Sequence, residues 1–202
     1  MNKDANLKKM TLSLSIIALI SSASLGFVNN LTEGPKAAAE TIKLNQAVSK
    51  VLPEFDNNPI AENYKLPSPD GGDSIICYPA IKGGKPTGCA IETWTMNGFS
   101  GLIRLMVGFD TEGRIIDISV LEQKETPGLG TKILTAKFKD QFKGMIPGTA
   151  AFGLHDDGGE IDAITAATIS SKAFIDAIMR GNNAYLNIDG NSGATNTDSN
   201  NK

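Results

Sequence analysis

Residues 10–32 carry no charged side chain, while Lys3, Lys8 and Lys9 stand just before them and Glu33 just after. Leu12, Leu14, Ile16, Ile17, Leu19, Ile20, Leu25, Phe27 and Val28 crowd the 11–28 stretch. About 20 such residues are what a helix needs to cross the hydrocarbon of a bilayer. The pattern predicts a single transmembrane anchor over 11–30 in the lipid bilayer. The preceding lysines place residues 1–10 in the cytoplasm and everything after the anchor outside it. A cleaved signal peptide is the competing reading, because Ser22-Ala-Ser24 and Ala37-Ala-Ala39 offer small-residue sites. The apolar stretch is long for a signal core, and the second site lies far from its end, so a retained anchor is the expectation. No Cys follows closely enough for a lipoprotein anchor.

Beyond the anchor the chain is long enough for one domain with its own core. A net charge of −3 leaves no basic footprint, so nucleic acid is not an expected partner. Gly34-Pro35 and the alanines after it predict a linker over 31–42, followed by a domain over 43–186. Ile42, Val48, Val51, Leu52 and Phe55 approximate helical spacing until Pro53 interrupts it. Residues 57–59 and 67–72 are rich in Asn, Pro and Gly and predict loops.

The period then changes to that of strands. Segments 74–81 and 88–95 predict a hairpin about Gly83-Gly84, and 102–109 with 114–121 predict a second. In the second, Asp110 and Gly113 occupy favoured positions of a type I turn. Helical spacing returns over 132–142, with Leu134, Phe138 and Phe142 on one stripe. The fold class is therefore α+β: an antiparallel sheet of hairpins with packed helices, preceded by one N-terminal transmembrane helix. Residues 187–202 are almost wholly Asn, Ser, Thr, Gly and Asp, and predict a disordered tail.

Two segments carry the chemistry. Asp162-Ala-Ile-Thr165-Ala166-Ala167-Thr168-Ile169-Ser170-Ser171 leads directly into the amphipathic pattern of 172–179. Unpaired amides and the positive end of a helix dipole converge at such a start, small side chains admit an anion, and Thr168 adds a hydroxyl. Ser and Thr also stand there as ordinary caps, so this run taken alone does not distinguish a phosphate seat from a capped helix. The second segment is Glu125-Thr126-Pro127-Gly128-Leu129-Gly130. Pro127 fixes φ and the glycines allow a compact loop to approach a flat ligand, although a plain strand-to-helix turn has the same composition.

Asp-x-x-Thr-Ala-Ala-Thr resembles the Asp-x-x-(Ser/Thr)-Gly-Ala-Thr signature of the FMN-binding domain family, and Glu-Thr-Pro-Gly-Leu-Gly resembles that family's other hallmark. Two motifs in the right order over about 43–186 are more specific than either alone. They point to the G subunit of Rnf-type ion-translocating complexes, with the C subunit of sodium-pumping NADH:quinone reductase as a related alternative. The resemblance implies FMN attached through a phosphoester to Thr168. The amides around Ala167 and Ile169 would seat the phosphate, with the hydroxyls of Thr165 and Ser170 assisting. Asp162 would belong to a signature read by a flavin transferase that uses FAD and a divalent metal.

In the same reading Glu125 or Thr126 hydrogen-bonds the flavin's polar edge, Gly128 and Gly130 shape the loop, and Leu129 lies against the ring. Ala166 replaces the family's usual Gly, which implies ordinary helical or extended backbone at that position. The implied function is a covalently flavinylated electron carrier in the bacterial cytoplasmic membrane, its domain extracytoplasmic. Its implied partners are other membrane and iron–sulfur or flavin subunits of the complex. The whole complex would couple electron transfer between ferredoxin and NAD to Na+ or H+ movement. This chain has no dinucleotide fingerprint of its own. The contrasting class is a non-flavin external module in which Thr168 merely caps a helix.

Several other residues bear on the choice. Asp189-Gly-Asn-Ser192-Gly-Ala-Thr195 matches the signature more literally but precedes no apolar helix, so Thr168 is the expected attachment site. His155 is the sole histidine, which excludes His-rich metal sites; no metal is expected. Cys77 and Cys89 flank Gly83-Gly84 symmetrically and read equally as a cross-strand disulfide or as two buried thiols. Trp94, Met96, Phe99 and Met106 are available to flank a flavin, with core packing the default.

Overall fold

The structure is a computed structural model that describes residues 3–68 and 74–192. The chain divides into two compact units, 1–43 and 44–202. The first holds most of helix α1 (Lys3–Val51), and its large apolar side chains from Met10 to Leu31 are exposed. Among the described residues this is the one helix long and apolar enough to cross a membrane. α1 runs unbroken through the 31–42 stretch expected as a linker, with Pro35 inside it. Ala is the strongest helix former, and its run after Pro35 offsets a residue that removes one ladder bond.

The second unit is built on an antiparallel sheet in sequence order: β1 (Tyr64–Leu66), β2 (Ile75–Lys82), β3 (Lys85–Gly98), β4 (Gly101–Asp110) and β5 (Ile115–Gln123). The α+β class and both hairpins are present, and β1 is a short edge strand that composition did not signal. Alternation along β4 explains why both faces are covered. Ile103, Leu105, Val107 and Phe109 face the larger core, whereas Met106 faces a smaller one with Ala47, Val48 and Val51 from the end of α1. Gly108 lies on that second face, and a Cβ there would collide with the backbone of Val51, so the helix end sits directly on the strand.

The larger core is completed by helix α3 (Thr168–Ser192), which buries Ala173, Phe174, Ala177 and Ile178. Thr93 on β3 anchors it, its Oγ1 donating to the Ala177 carbonyl at 2.8 Å. α3 stays helical to Ser192, past the boundary drawn at 186; the later tail, with Thr195, lies outside the described residues.

The helix expected over 132–142 is instead three short pieces: a 3-10 turn Gly130–Leu134, α2 (Ala136–Lys139) and a 3-10 turn Asp140–Phe142. Thr135 interrupts them with extended backbone, φ −73° and ψ 145°, and its Oγ1 bonds back to the Lys132 carbonyl. The break rotates Ile133 into the core and leaves Leu134 exposed, while Phe138 and Phe142 remain buried.

Both cysteines are buried, and they form no disulfide with one another. A register shift between Ala80 and Ile81 removes the symmetry about the turn, so that Cys77 pairs with Ile91 and Cys89 with Pro79.

Candidate functional site

The turn that precedes α3 is unusual. The Ala167 N–H bonds to the Ile164 carbonyl at 2.9 Å, and the side chain of Ser171 ties the same turn down. It accepts from the Ile164 N–H and donates to the Ala167 carbonyl, both at 3.0 Å. Within this turn Ala166 has φ +62°. The expectation of ordinary backbone at Ala166 is therefore wrong: the position keeps the left-handed conformation for which Gly is the natural occupant. Two hydrogen bonds of Ser171 and the buried Ala167 hold it there against a cost of about 1 kcal/mol for a residue with a Cβ. Ala166→Gly is accordingly expected to stabilise the domain by about 1 kcal/mol, partly offset by the entropy of a freer unfolded chain. Urea unfolding checks this, and a lower midpoint for the Gly variant would contradict it.

The first helical bond of α3 runs from the Ser171 N–H to the Ala167 carbonyl at 3.0 Å. The amides of Thr168, Ile169 and Ser170 consequently have no acceptor within the helix. Thr168 and Ile169 are exposed, while Ser170 is buried.

Facing this start is the loop 125–130. Its backbone folds on itself, with the Leu129 N–H donating to the Thr126 carbonyl at 3.2 Å and the Gly128 N–H to Thr131 Oγ1 at 2.9 Å. Gly128 has φ +77° and Gly130 is buried. A Cβ on Gly130 would fall 2.6 Å from Glu125 Oε2 and 2.8 Å from Ser170 Oγ. The loop therefore closes against α3 only because that position has no side chain.

Glu125 joins the parts. It is 4% exposed, and its Oε2 accepts from Ser170 Oγ at 2.6 Å while its Oε1 accepts from the Ser100 N–H at 3.1 Å. Ser100 belongs to the turn between β3 and β4, so one carboxylate connects that turn, the loop and the helix start.

These pieces enclose a cleft of about 250 Å3. Thr126, Leu129 and Gly130 form one wall with Glu125, residues 166–170 form the other, and Phe99 closes the end. The structure thus brings together Glu125, Thr126, Leu129, Gly130, Ala166, Ala167, Thr168, Ile169 and Ser170. Gly128 is in the loop but does not line the cleft.

Thr165 and Asp162 open instead onto a neighbouring cleft of about 650 Å3, with Lys132, Lys137 and Phe138. There the Asp162 carboxylate is 3.4 Å from His155 Nε2, and its backbone is clasped by Gln141, whose Oε1 accepts from the Asp162 N–H at 2.8 Å. Asp162 thus lines this neighbouring cleft and not the one that Thr168 lines. The Ser170 hydroxyl donates to Glu125 rather than into the cleft. Glu125, for its part, is buried and accepts from Ser170 and Ser100 through its two carboxylate oxygens.

Phe99 is a site residue that the two motifs do not include. It is 66% exposed at the tip of the β3–β4 turn, and Gly98 and Gly101 on either side were the signal for a tight turn presenting an aromatic ring. Met96 is also exposed, whereas Met106 belongs to the core. Among the described residues no His, Cys, Asp and Glu group is arranged to hold a metal ion.

Residues 98–183, which span this entire site, match the FMN-binding domain model. The G subunit of the ion-translocating oxidoreductase complex of Cereibacter sphaeroides is 35% identical over 84% of this chain and 80% of its own length. The corresponding protein of Shewanella baltica is 34% identical over 82% of both chains, and that of Photorhabdus laumondii 30% identical over 86% of this chain and 88% of its own. In the crystal structure of Shewanella oneidensis NqrC, 67% of each chain superposes with a TM-score of 0.47 at 18% identity. At this level of identity and mutual coverage, with an FMN-binding domain matched across both motifs, the chain belongs to the family of ion-translocating oxidoreductase complex G subunits.

Proposed function

We propose that this chain is a membrane-anchored electron-carrier subunit of an Rnf-type ion-translocating oxidoreductase, with FMN attached covalently through Thr168. One observation supports this reading above the others: an exposed threonine hydroxyl stands at the first turn of α3, beside three amides without helical acceptors, and opens onto a cleft walled by the second motif.

The residues present fit the group. The amides of 168–170 and the helix dipole favour a phosphate, the dipole by roughly 0.3–1 kcal/mol. The buried Gly130 lets the 125–130 loop close against the helix start, which forms the wall of the cleft. A cleft of about 250 Å3 is small for a ligand of this size, and the exposed Phe99, Leu129 and Ile169 that line it would offer apolar contact to a flat ring system. When bound, FMN supplies the electron-transfer chemistry, while the protein supplies position and electrostatics.

Attachment is a phosphoryl transfer during maturation. Thr168 Oγ1 would be the oxygen that receives the FMN phosphate from FAD, with AMP as the leaving group and the threonine proton taken up by a base of the transferase. Asp162, exposed beside the larger cleft, is where such a transferase reads the chain. A covalent tether is also what retains a cofactor outside the cytoplasm, where a dissociated flavin diffuses away.

The uncharged 10–32 stretch of α1 and the lysines before it support a retained anchor in the bacterial cytoplasmic membrane, with the 44–192 region extracytoplasmic. Other membrane and redox subunits of the complex are the electron partners. An alkaline phosphatase reporter fused after Ser192 is expected to be active, and the mature chain to begin before the apolar segment. A soluble form starting near Glu40 would show that the segment is a cleaved signal. For the flavin itself, the test is yellow colour and ultraviolet fluorescence retained in a denaturing gel when chain and transferase are co-produced. A colourless, dark band would favour the non-flavin module.

A further inference from the structure

Glu125 is the one buried carboxylate in the wall of the cleft, and it is held by neutral donors, the Ser170 hydroxyl at 2.6 Å and the Ser100 amide at 3.1 Å. Among the described residues no Lys, Arg or His forms an ion pair with it. Two glycines make room for this geometry: a Cβ on Gly98 would lie 2.7 Å from Oε1, and one on Gly130 would lie 2.6 Å from Oε2. Packing alone does not ask for this, because an apolar side chain in the same place would need neither hydroxyl nor amide partner. The carboxylate is thus held beside the cleft by neutral donors alone, with no ion-pair partner among the described residues.

We infer that Glu125 is a positioning residue that also lowers the reduction potential of the flavin seated in this cleft. The inference rests on the reading of the cleft as a flavin site. By tying Ser170 to the β3–β4 turn, the carboxylate fixes the helix start that bears Thr168 relative to Phe99 and the 126–130 loop. By its charge it opposes the arrival of electrons next to it, an effect that low local dielectric strengthens. Neither consequence requires Glu125 to touch the flavin.

The test uses the full-length chain co-produced with its transferase, with flavin loading read as the covalent mass increment and the midpoint potential by spectroelectrochemistry. Glu125→Gln keeps the shape and can still bond Ser100 and Ser170 after the serine hydroxyl rotates, so folding and loading are retained. Its reduction equilibrium is expected to shift about tenfold towards the reduced flavin, a rise in midpoint potential of roughly 30 mV for a two-electron couple. Glu125→Asp, which keeps the charge but shortens the reach, is expected to return the potential towards the wild-type value. A loaded Glu125→Gln chain with an unchanged potential would overturn the role of Glu125 while leaving the flavin site standing. An Asp variant shifted as far as the Gln variant would overturn it as well, since geometry and not charge would then be responsible. Wild-type chain without the mass increment would overturn both this inference and the site on which it rests.

Discussion

Thr168→Val, in a chain co-produced with its flavin transferase, is expected to abolish the covalent mass increment of one FMN together with the fluorescence in a denaturing gel. Val is close to Thr in shape and lacks only the hydroxyl. Thr168 is exposed at the first turn of α3, and the turn before it is fastened by Ser171 rather than by the threonine hydroxyl. A folded, unlabelled variant therefore identifies the attachment atom. Two companions complete the experiment. Thr195→Val and a truncation after Ser192 are both expected to keep the label, since they remove the more literal motif while leaving α3 and the cleft whole. A fully labelled Thr168→Val beside a dark truncation would move the attachment to the tail and refute the assignment. The result separates two kinds of recognition: a transferase that needs a threonine presented by a helix start, and one that reads a short sequence wherever it is flexible enough to enter.

The two hairpins were legible because their strands are rich in β-branched and other apolar residues and are bounded by turn residues, while apolar side chains at 103, 105, 107 and 109 on β4 meet one core and Met106 the other. The convergence of the two motifs was legible only through resemblance, since neither spacing nor composition says that residues 125–130 and 166–170 share a cleft.

Three features escaped for physical reasons. The 132–142 segment has a helical stripe, but Thr135 satisfies a local carbonyl with its own side chain and breaks the ladder, a competition that periodicity does not weigh. Ala166 looked ordinary because alanine normally avoids positive φ; the conformation is imposed by the turn that Ser171 and Ala167 hold, so tertiary context overrides the residue's preference. Glu125 was expected, with Thr126 as the alternative, to hydrogen-bond the flavin's polar edge, and nothing in the sequence around it signals that it is buried. Its burial depends on two glycines, Gly98 and Gly130, that lie on different elements and show their purpose only when those elements meet.

Phe174→Ala is expected to have the largest effect on stability, lowering it by about 3–5 kcal/mol. Phe174 is fully buried on α3, with its ring centroid 5.3 Å from that of Phe138 and 5.2 Å from that of Phe142. Phe142 in turn meets Phe152 at 5.9 Å. These contacts hold the broken 130–142 segment, and hence the loop wall of the cleft, against the helix whose first turn bears Thr168. Removing this ring leaves a cavity beside Phe138 and Phe142, which are carried by separate short elements. Since whole domains are stable by only about 5–15 kcal/mol, the loss consumes a large part of the total. A marked fall in the urea midpoint is expected, with flavin loading reduced at growth temperature and recovered when the chain is produced in the cold, because Thr168 itself is intact. Ile169→Ala provides the contrast: at 54% exposure on the rim of the cleft it should change stability by no more than about 0.5 kcal/mol. An unchanged midpoint for Phe174→Ala would mean that the aromatic cluster does not carry the packing of α3, and that the site is held chiefly by Glu125, Ser170 and Ser171.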